Sequence, residues 1–552
     1  MRRFLPIWFL LAAVALLIDL GGYPLLDADE GRNAEVGREM AETNDYVMPR
    51  IDGMPYLDKP IVYFAAEAAA MEVLGPTEMA ARLPAWFFTI ATAALVGWFA
   101  RRVWGGDAGW IAAIALLSMP LTLAFARTVI FDSALAFFIV AAFIGFWFAV
   151  EEPALRWRVL AWAAMAMGVL TKGPVAIALP LFVAIPYALY RKRFTKLWSL
   201  TGLAAFALII APWVWAVSQV VPGFLKYVLV TETAQRMATG ALKRTGPAWY
   251  FIPYLLGGAL PWALALVREK RGERDRVTLY LLLWVAIPFL FFSISQSKRP
   301  QYILPLMPAI ALLIARMWRG ERRELGARTA GIAMAILGAI MLVAPFFFHR
   351  TKMKPEVAAV ADETAYALGA CLLIGGGVAT AFAKRRELTI AALSFPILAV
   401  PIATNPFMDG LALRRSTASL IAQISPRLTP QTEIVGVEAY TGSMQFYLRR
   451  PIVVATDDAS EFTSNYILRH YASFVGERVR PTAWLRGTLD QPNRLYIVRN
   501  DDRPNRALLE GRGMALIGEG AHFVAYEPAR PAALAGQAST TPGVPTGITR
   551  ER

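Results

Sequence analysis

Cysteine is almost missing from this chain of 552 residues: Cys371 stands alone, so no intramolecular disulfide can form, and its place inside an apolar run reads as packing. Histidine is nearly as scarce. His349, His470 and His522 are scattered without metal-ligand spacing, which argues against a histidine-built zinc site. Charge is thin as well, at 18% of residues against 57% hydrophobic. One buried core does not account for so apolar a chain. A mean hydropathy of +0.45 calls for repeated segments of about 20 apolar residues, each able to cross roughly 30 Å of hydrocarbon. The net charge of +15 would suit nucleic acid, but its Lys and Arg sit in short runs between apolar stretches, as in cytoplasmic membrane loops. No nucleic-acid partner is expected.

What the chain has in abundance is apolar length. Thirteen segments read as spans, near 4–22, 83–100, 108–126, 131–150, 157–171, 174–190, 197–217, 247–267, 277–294, 302–318, 329–348, 364–383 and 388–404. The short links at 126–131 and 171–174 are where the count is most open. The first segment follows two arginines, as in a signal peptide, but no clean small-x-small cleavage site comes after it, so it reads as a membrane helix. With the N-terminus cytoplasmic, most of the loop Lys and Arg fall inside, which puts the chain beyond residue 404 outside.

The expected fold is therefore mainly α: a polytopic transmembrane bundle of about 13 spans over 1–404, followed by a periplasmic α/β domain over 405–530. Strands are expected at 433–437, 451–455 and 494–498, with helices near 411–425 and 458–473. The tail 531–552, rich in Ala, Pro, Gly and Thr, has the composition of a disordered segment. A long outer loop, 23–80, carries two helical stretches, 29–42 and 60–75, the second apolar but short, as suits a helix at the membrane interface.

Chemistry-bearing residues gather on that outer side. Asp27, Asp29 and Glu30 precede Arg32 just beyond the first span. Asp27 and Glu30 can be read as an N-cap with its capping-box partner. They also fit a carboxylate held at the water–lipid boundary as a base or to orient an acceptor. Tyr56-Leu-Asp58-Lys59-Pro60 suits a solvated turn, or a lysine that joins Arg32 on a phosphate. Asp132 begins a span with no adjacent partner, and Lys172 lies at the next outer turn, where snorkelling is the simpler explanation. Lys298 and Arg299, shortly before Tyr302, run against the inside bias for cations and so point to an anionic partner. Together these suit a site that holds a negatively charged lipid head group beside acid–base chemistry.

The order Asp-Glu-x-Arg, Pro-Tyr-x-acid-Lys-Pro, an outer Asp, Leu-Thr-Lys-Gly-Pro and Ser-Lys-x-x-x-Tyr-Ile-Leu-Pro resembles the GT-C glycosyltransferases over about residues 1–320. The matching branch includes the lipid A aminoarabinose transferases and is related to protein O-mannosyltransferases. The resemblance implies inverting transfer of a sugar from a polyprenyl-phosphate carrier at the outer face of a bacterial inner membrane. The acceptor would be a lipid A-type glycolipid, a protein, or another cell-envelope hydroxyl or phosphate. It implies catalytic roles for Asp29 and Glu30, contacts to the donor phosphate from Arg32, Lys59, Lys298 and Tyr302, and cavity or acceptor positions at Asp132 and Lys172. Asp58 matches a position that can contribute to a divalent metal site. The chain departs from the family at Glu232-Thr-Ala-Gln-Arg236, where an acid-His-x-Gln-Arg pattern is common, and at Asn33, where an aromatic residue is common. The competing classes are a transporter or flippase of lipid-linked sugars and a lipid-linked oligosaccharide ligase or polymerase. A transporter would be expected to show internal repeats or helices broken near the bilayer midplane, and no convincing repeat is seen.

Overall fold

The computed structural model describes residues 4–228, 246–266, 275–348 and 355–529, apart from 477 and 490. The 232–236 departure, His349 and the tail from Pro531 lie outside the described residues.

Apolar runs without internal charge form helices, since in a membrane only a helix satisfies its own backbone. Among the described residues eight helices are long and apolar enough to cross a bilayer, or nine if the pair Ala108–Leu117 and Pro120–Ala126, bent by 68°, is one span. Phe4–Leu17 and Val175–Tyr190 are shorter apolar helices in the same bundle. The molecule is thus a mainly helical multi-pass membrane protein. At the Thr171–Pro174 link, Gly173 takes φ +91° after the Leu155–Lys172 helix, and Pro174 leads into the next. The expected segment 247–267 is divided between Phe251–Gly258 and Trp262–Leu266.

Two sequence expectations need correcting. The last apolar helix does not stop at 404 but runs over Pro396–Arg415. Asn405, just past that expected end, is buried: its amide donates to the Asp19 carbonyl at 2.9 Å, and its side-chain oxygen accepts from Arg127 at 3.3 Å. Nor does Asp27 cap the outer helix. That helix spans Asp29–Thr43 after Ala28 with no side-chain cap, and Asp27 turns away to accept bonds from the Ser443 amide and hydroxyl.

The outer loop forms the helices Asp29–Thr43 and Val62–Leu74, close to expectation, joined through a small hairpin pairing Arg50–Ile51 with Met54–Pro55. Beyond Arg415 lies a six-stranded sheet. Glu433–Val437 is flanked by parallel partners Ile452–Ala455 and Arg494–Arg499, and the unforeseen hairpin Met514–Glu519/Phe523–Pro528 extends the second side. The sheet does not stand apart. Ile434, Met444, Phe446 and Ile452 share one apolar cluster with Leu25, Val36, Tyr63 and Phe64 of the outer loop. The contact is closest at two glycines: a Cβ on Gly442 would lie 2.3 Å from Arg32 Cα, and one on Gly31 2.4 Å from the Ser443 nitrogen. Only glycine admits such backbone approach.

Candidate active site

Helix ends bring the charged residues together. The Asp29–Thr43 helix starts with Asp29 and carries Arg32 one turn later; Asp132 opens its own helix, and Lys172 closes the antiparallel neighbour. They border one cavity of about 400 Å³, with Tyr56, Asp58 and Lys59 from the outer loop, Arg299 and Tyr302, and a wall that includes Leu179, Trp213, Phe291 and Phe292. Its lining combines these polar groups with apolar side chains, as an amphiphile needs.

Asp29 sits between two arginines. Arg32 Nη2 donates to Oδ1 at 2.7 Å and Arg299 Nη1 to Oδ2 at 2.5 Å. Burial alone would raise the Asp29 pKa, but the two guanidinium groups outweigh it and hold the carboxyl down at about 2. Arg32 also donates to the Thr463 hydroxyl at 3.1 Å, and its buried Nε has no hydrogen-bond partner among the described residues. Lys172 donates to Asp132 at 2.6 Å and lies 5.0 Å over the Tyr302 ring, so Asp132 does have a partner, supplied by the next helix. Among the described residues, the charged groups bordering the cavity are Arg32, Lys59, Lys172 and Arg299 with Asp29, Asp58 and Asp132, so cations suited to a phosphate stand beside carboxylates.

Two expected site residues face elsewhere. Glu30, adjacent to Asp29, is 4% exposed and does not border the cavity. Its carboxylate takes two bonds from Arg82, at 2.9 and 3.1 Å, and others from the Val129 and Leu26 amides. One helical step rotates a side chain by about 100°, enough to send neighbouring carboxylates to different surroundings. Lys298 is also turned away: its ammonium donates to the carbonyls of Ser293 and Ser295 at 2.7 and 3.0 Å. The following residue, Arg299, reaches the cavity in its place.

Asp58 borders the cavity but is saturated by protein donors. It accepts from Tyr227 Oη at 3.1 Å, Ser464 Oγ at 3.4 Å, and the Asn465 and Tyr466 amides at 2.8 and 3.0 Å. Among the described residues no group of three or more His, Cys, Asp or Glu is placed to hold a metal ion. Among the described residues, Asp58 therefore belongs to no cluster that would complete a metal site. Lys59 remains at the cavity, with its ammonium 2.6 Å from the Asp58 carbonyl. Thr463 and Asn465 are the residues sequence reasoning missed. They lie some 400 positions from the outer-loop motif, and no local pattern marks them.

The chain can be compared with known proteins on this geometry. A family model of dolichyl-phosphate-mannose-protein mannosyltransferases matches residues 7–228. The undecaprenyl phosphate-alpha-4-amino-4-deoxy-L-arabinose arabinosyl transferase of Aeromonas salmonicida (strain A449) is 32% identical over 413 residues, covering 72% of this chain and 75% of that one. The protein of the same name from Erwinia tasmaniensis is 30% identical over 381 residues, 65% and 69% of the two chains. The crystal structure of ArnT from Cupriavidus metallidurans bound to undecaprenyl phosphate superposes with a TM-score of 0.85 at 26% identity, over 95% of this chain and 98% of that one. The fold and the site define a membrane-embedded glycosyltransferase. Within that class, the chain belongs to the undecaprenyl phosphate-aminoarabinose arabinosyl transferase family.

Proposed function

We propose that this protein transfers a sugar, aminoarabinose or a close relative, from an undecaprenyl-phosphate-type carrier to a lipid A-type glycolipid at the outer face of the bacterial inner membrane. The observation that carries this reading is the cavity itself. It offers apolar side chains to a polyprenyl chain, the cations Arg32, Lys59 and Arg299 to a phosphodiester, and in Asp29 a carboxylate clamped between Arg32 and Arg299. The family relationship supports it. As the sugar–phosphate bond breaks, negative charge grows on the lipid phosphate, and Arg32, Lys59 and Arg299 are preplaced to stabilise it. Asp29 then takes the proton of an acceptor hydroxyl in one inverting displacement, or orients the acceptor if that is a phosphate. The Lys172–Asp132 pair, beside the Tyr302 ring, lines the route of the sugar or acceptor.

The finer topology belongs to the same proposal. The apolar segments of the sequence support about thirteen spans, and the cytoplasmic bias of Lys and Arg supports an N-terminus inside and the sheet beyond Arg415 in the periplasm, beside the outer-loop helices that it packs on. The transferase part then ends at the Pro396–Arg415 helix and the α/β part follows it.

Purified full-length protein with radiolabelled polyprenyl-phosphate sugar tests the reading. Label passing to lipid A supports it; movement of intact donor across vesicles without transfer identifies a transporter, and growth of the lipid-linked glycan identifies a polymerase. The geometry also separates two adjacent cations. Arg299→Gln is expected to raise the donor KM and lower kcat, together about 10²-fold in kcat/KM, because it removes a charged contact at the developing phosphate charge. Lys298→Gln should instead lower the thermal midpoint with little effect on the donor KM of the protein that folds. The opposite pattern returns the phosphate contact to Lys298.

A further inference from the structure

The turn at residues 463–466 comes from the sheet region, yet it reaches both charge-bearing segments of the outer loop. Thr463 accepts from Arg32 through its hydroxyl at 3.1 Å and its carbonyl at 3.5 Å. The next three residues hold Asp58 through the Ser464 hydroxyl and the Asn465 and Tyr466 amides, and Asp58 immediately precedes Lys59. Thr463 and Asn465 also border the cavity. One four-residue turn thus holds the guanidinium of Arg32 and the residue before Lys59, two segments that lie on different elements.

Its conformation is costly. Thr463 holds φ 51° and ψ 27°, the left-handed region, where a β-branched side chain crowds its own backbone. Glycine would fit there without strain, so the threonine needs a reason other than the turn. The hydroxyl on Arg32 supplies one. Arg32 is half-buried, its Nε is buried without a hydrogen-bond partner among the described residues, and a guanidinium in that setting is aimed only as well as its remaining bonds allow.

We infer that Thr463 is a positioning residue for the donor phosphate: through Arg32, the sheet region sets the geometry of the donor end of the cavity. This rests on the donor reading above, and gives the C-terminal region a part in donor binding.

The test measures binding of undecaprenyl phosphate to the full-length protein in lipid nanodiscs, together with thermal midpoint and the KM of donor and of acceptor, for Thr463→Gly and Thr463→Ser. Thr463→Gly should weaken undecaprenyl phosphate binding and raise the donor KM by about tenfold, the loss expected for one hydrogen bond to a charged group. Its thermal midpoint should be unchanged or raised, since strain is relieved, and its acceptor KM should not move. Thr463→Ser keeps the hydroxyl and should stay within about threefold of the parent. A Thr463→Gly protein that binds like the parent overturns the inference, and so does weakening that follows a fall in thermal midpoint in both variants. If the parent protein itself does not bind undecaprenyl phosphate, the donor reading fails instead.

Discussion

Asp29→Asn is expected to cut sugar transfer by about 10²–10⁴-fold, the range of a lost general base, while the protein stays folded and still binds undecaprenyl phosphate. Asparagine keeps the size of the side chain but only one acceptor oxygen, so one of Arg32 and Arg299 keeps its bond while the other faces an amide donor; the charge and the capacity to take a proton disappear. The pH profile carries the argument further. Burial opposes ionisation of Asp29, but the two arginines prevail and hold its pKa at about 2, so the free enzyme keeps it charged at every pH above that. No acid limb in kcat/KM should then come from Asp29 in the working range, since that parameter reports the free enzyme. So acidic a carboxyl is a poor base. On the proposed mechanism, a bound donor phosphate would draw Arg32 and Arg299 toward itself, weaken their hold and raise the Asp29 pKa. The expected signature is an acid limb in kcat that lies at higher pH than any in kcat/KM and vanishes in Asp29→Asn. If the acceptor is a phosphate, Asp29 only orients it: the limb is absent and the loss in Asp29→Asn is smaller. Full activity in Asp29→Asn removes the residue from the mechanism altogether.

The neighbouring carboxylate should behave in the opposite manner. Glu30→Ala leaves the guanidinium of Arg82, 0% exposed, without its counter-charge, and deprives the Val129 and Leu26 amides of their acceptor. Breaking a buried ion pair from one side costs about 3–5 kcal/mol, a large share of a protein's net stability. The expected result is a sharply lower thermal midpoint and little folded protein after purification. Replacing both partners, as in Glu30→Met with Arg82→Met, removes the uncompensated charge and should recover part of that stability. Arg82 also donates to the carbonyls of Leu20, Tyr23 and Pro24, so the recovery will be incomplete. A Glu30→Ala protein that melts like the parent but transfers no sugar would falsify the structural assignment and restore a catalytic one.

These two experiments also mark where sequence reading succeeded and where it stopped. The apolar segments, the two outer-loop helices and three of the six strands were legible because each rests on local periodicity. Asp29, Arg32 and Lys59 were legible because they lie close together in the chain on a strongly polar stretch between spans. Asp27 and Glu30 matched a capping box, yet each found a stronger partner from a remote element, Ser443 and Arg82, and the local pairing lost. Asp132 looked unpaired because its lysine lies 40 positions away, across a helical hairpin. Between Lys298 and Arg299 no pattern could decide, since the turn after the Arg276–Ile294 helix sets which side chain faces the cavity.

By itself the sequence determined that this protein is built of membrane helices and that its chemistry gathers at one end of them. Hydropathy is a property of each segment, and burying a lone charge in hydrocarbon is costly enough to keep most ionisable groups out of the spans, in the loops on either side. Tertiary structure alone decided which of two adjacent carboxylates is exposed to the cavity and which of two adjacent cations reaches it. It also brought the Thr463 turn, from the far end of the chain, onto Arg32. Those outcomes depend on partners that only packing brings within hydrogen-bonding distance, and a buried charge settles where its partners are.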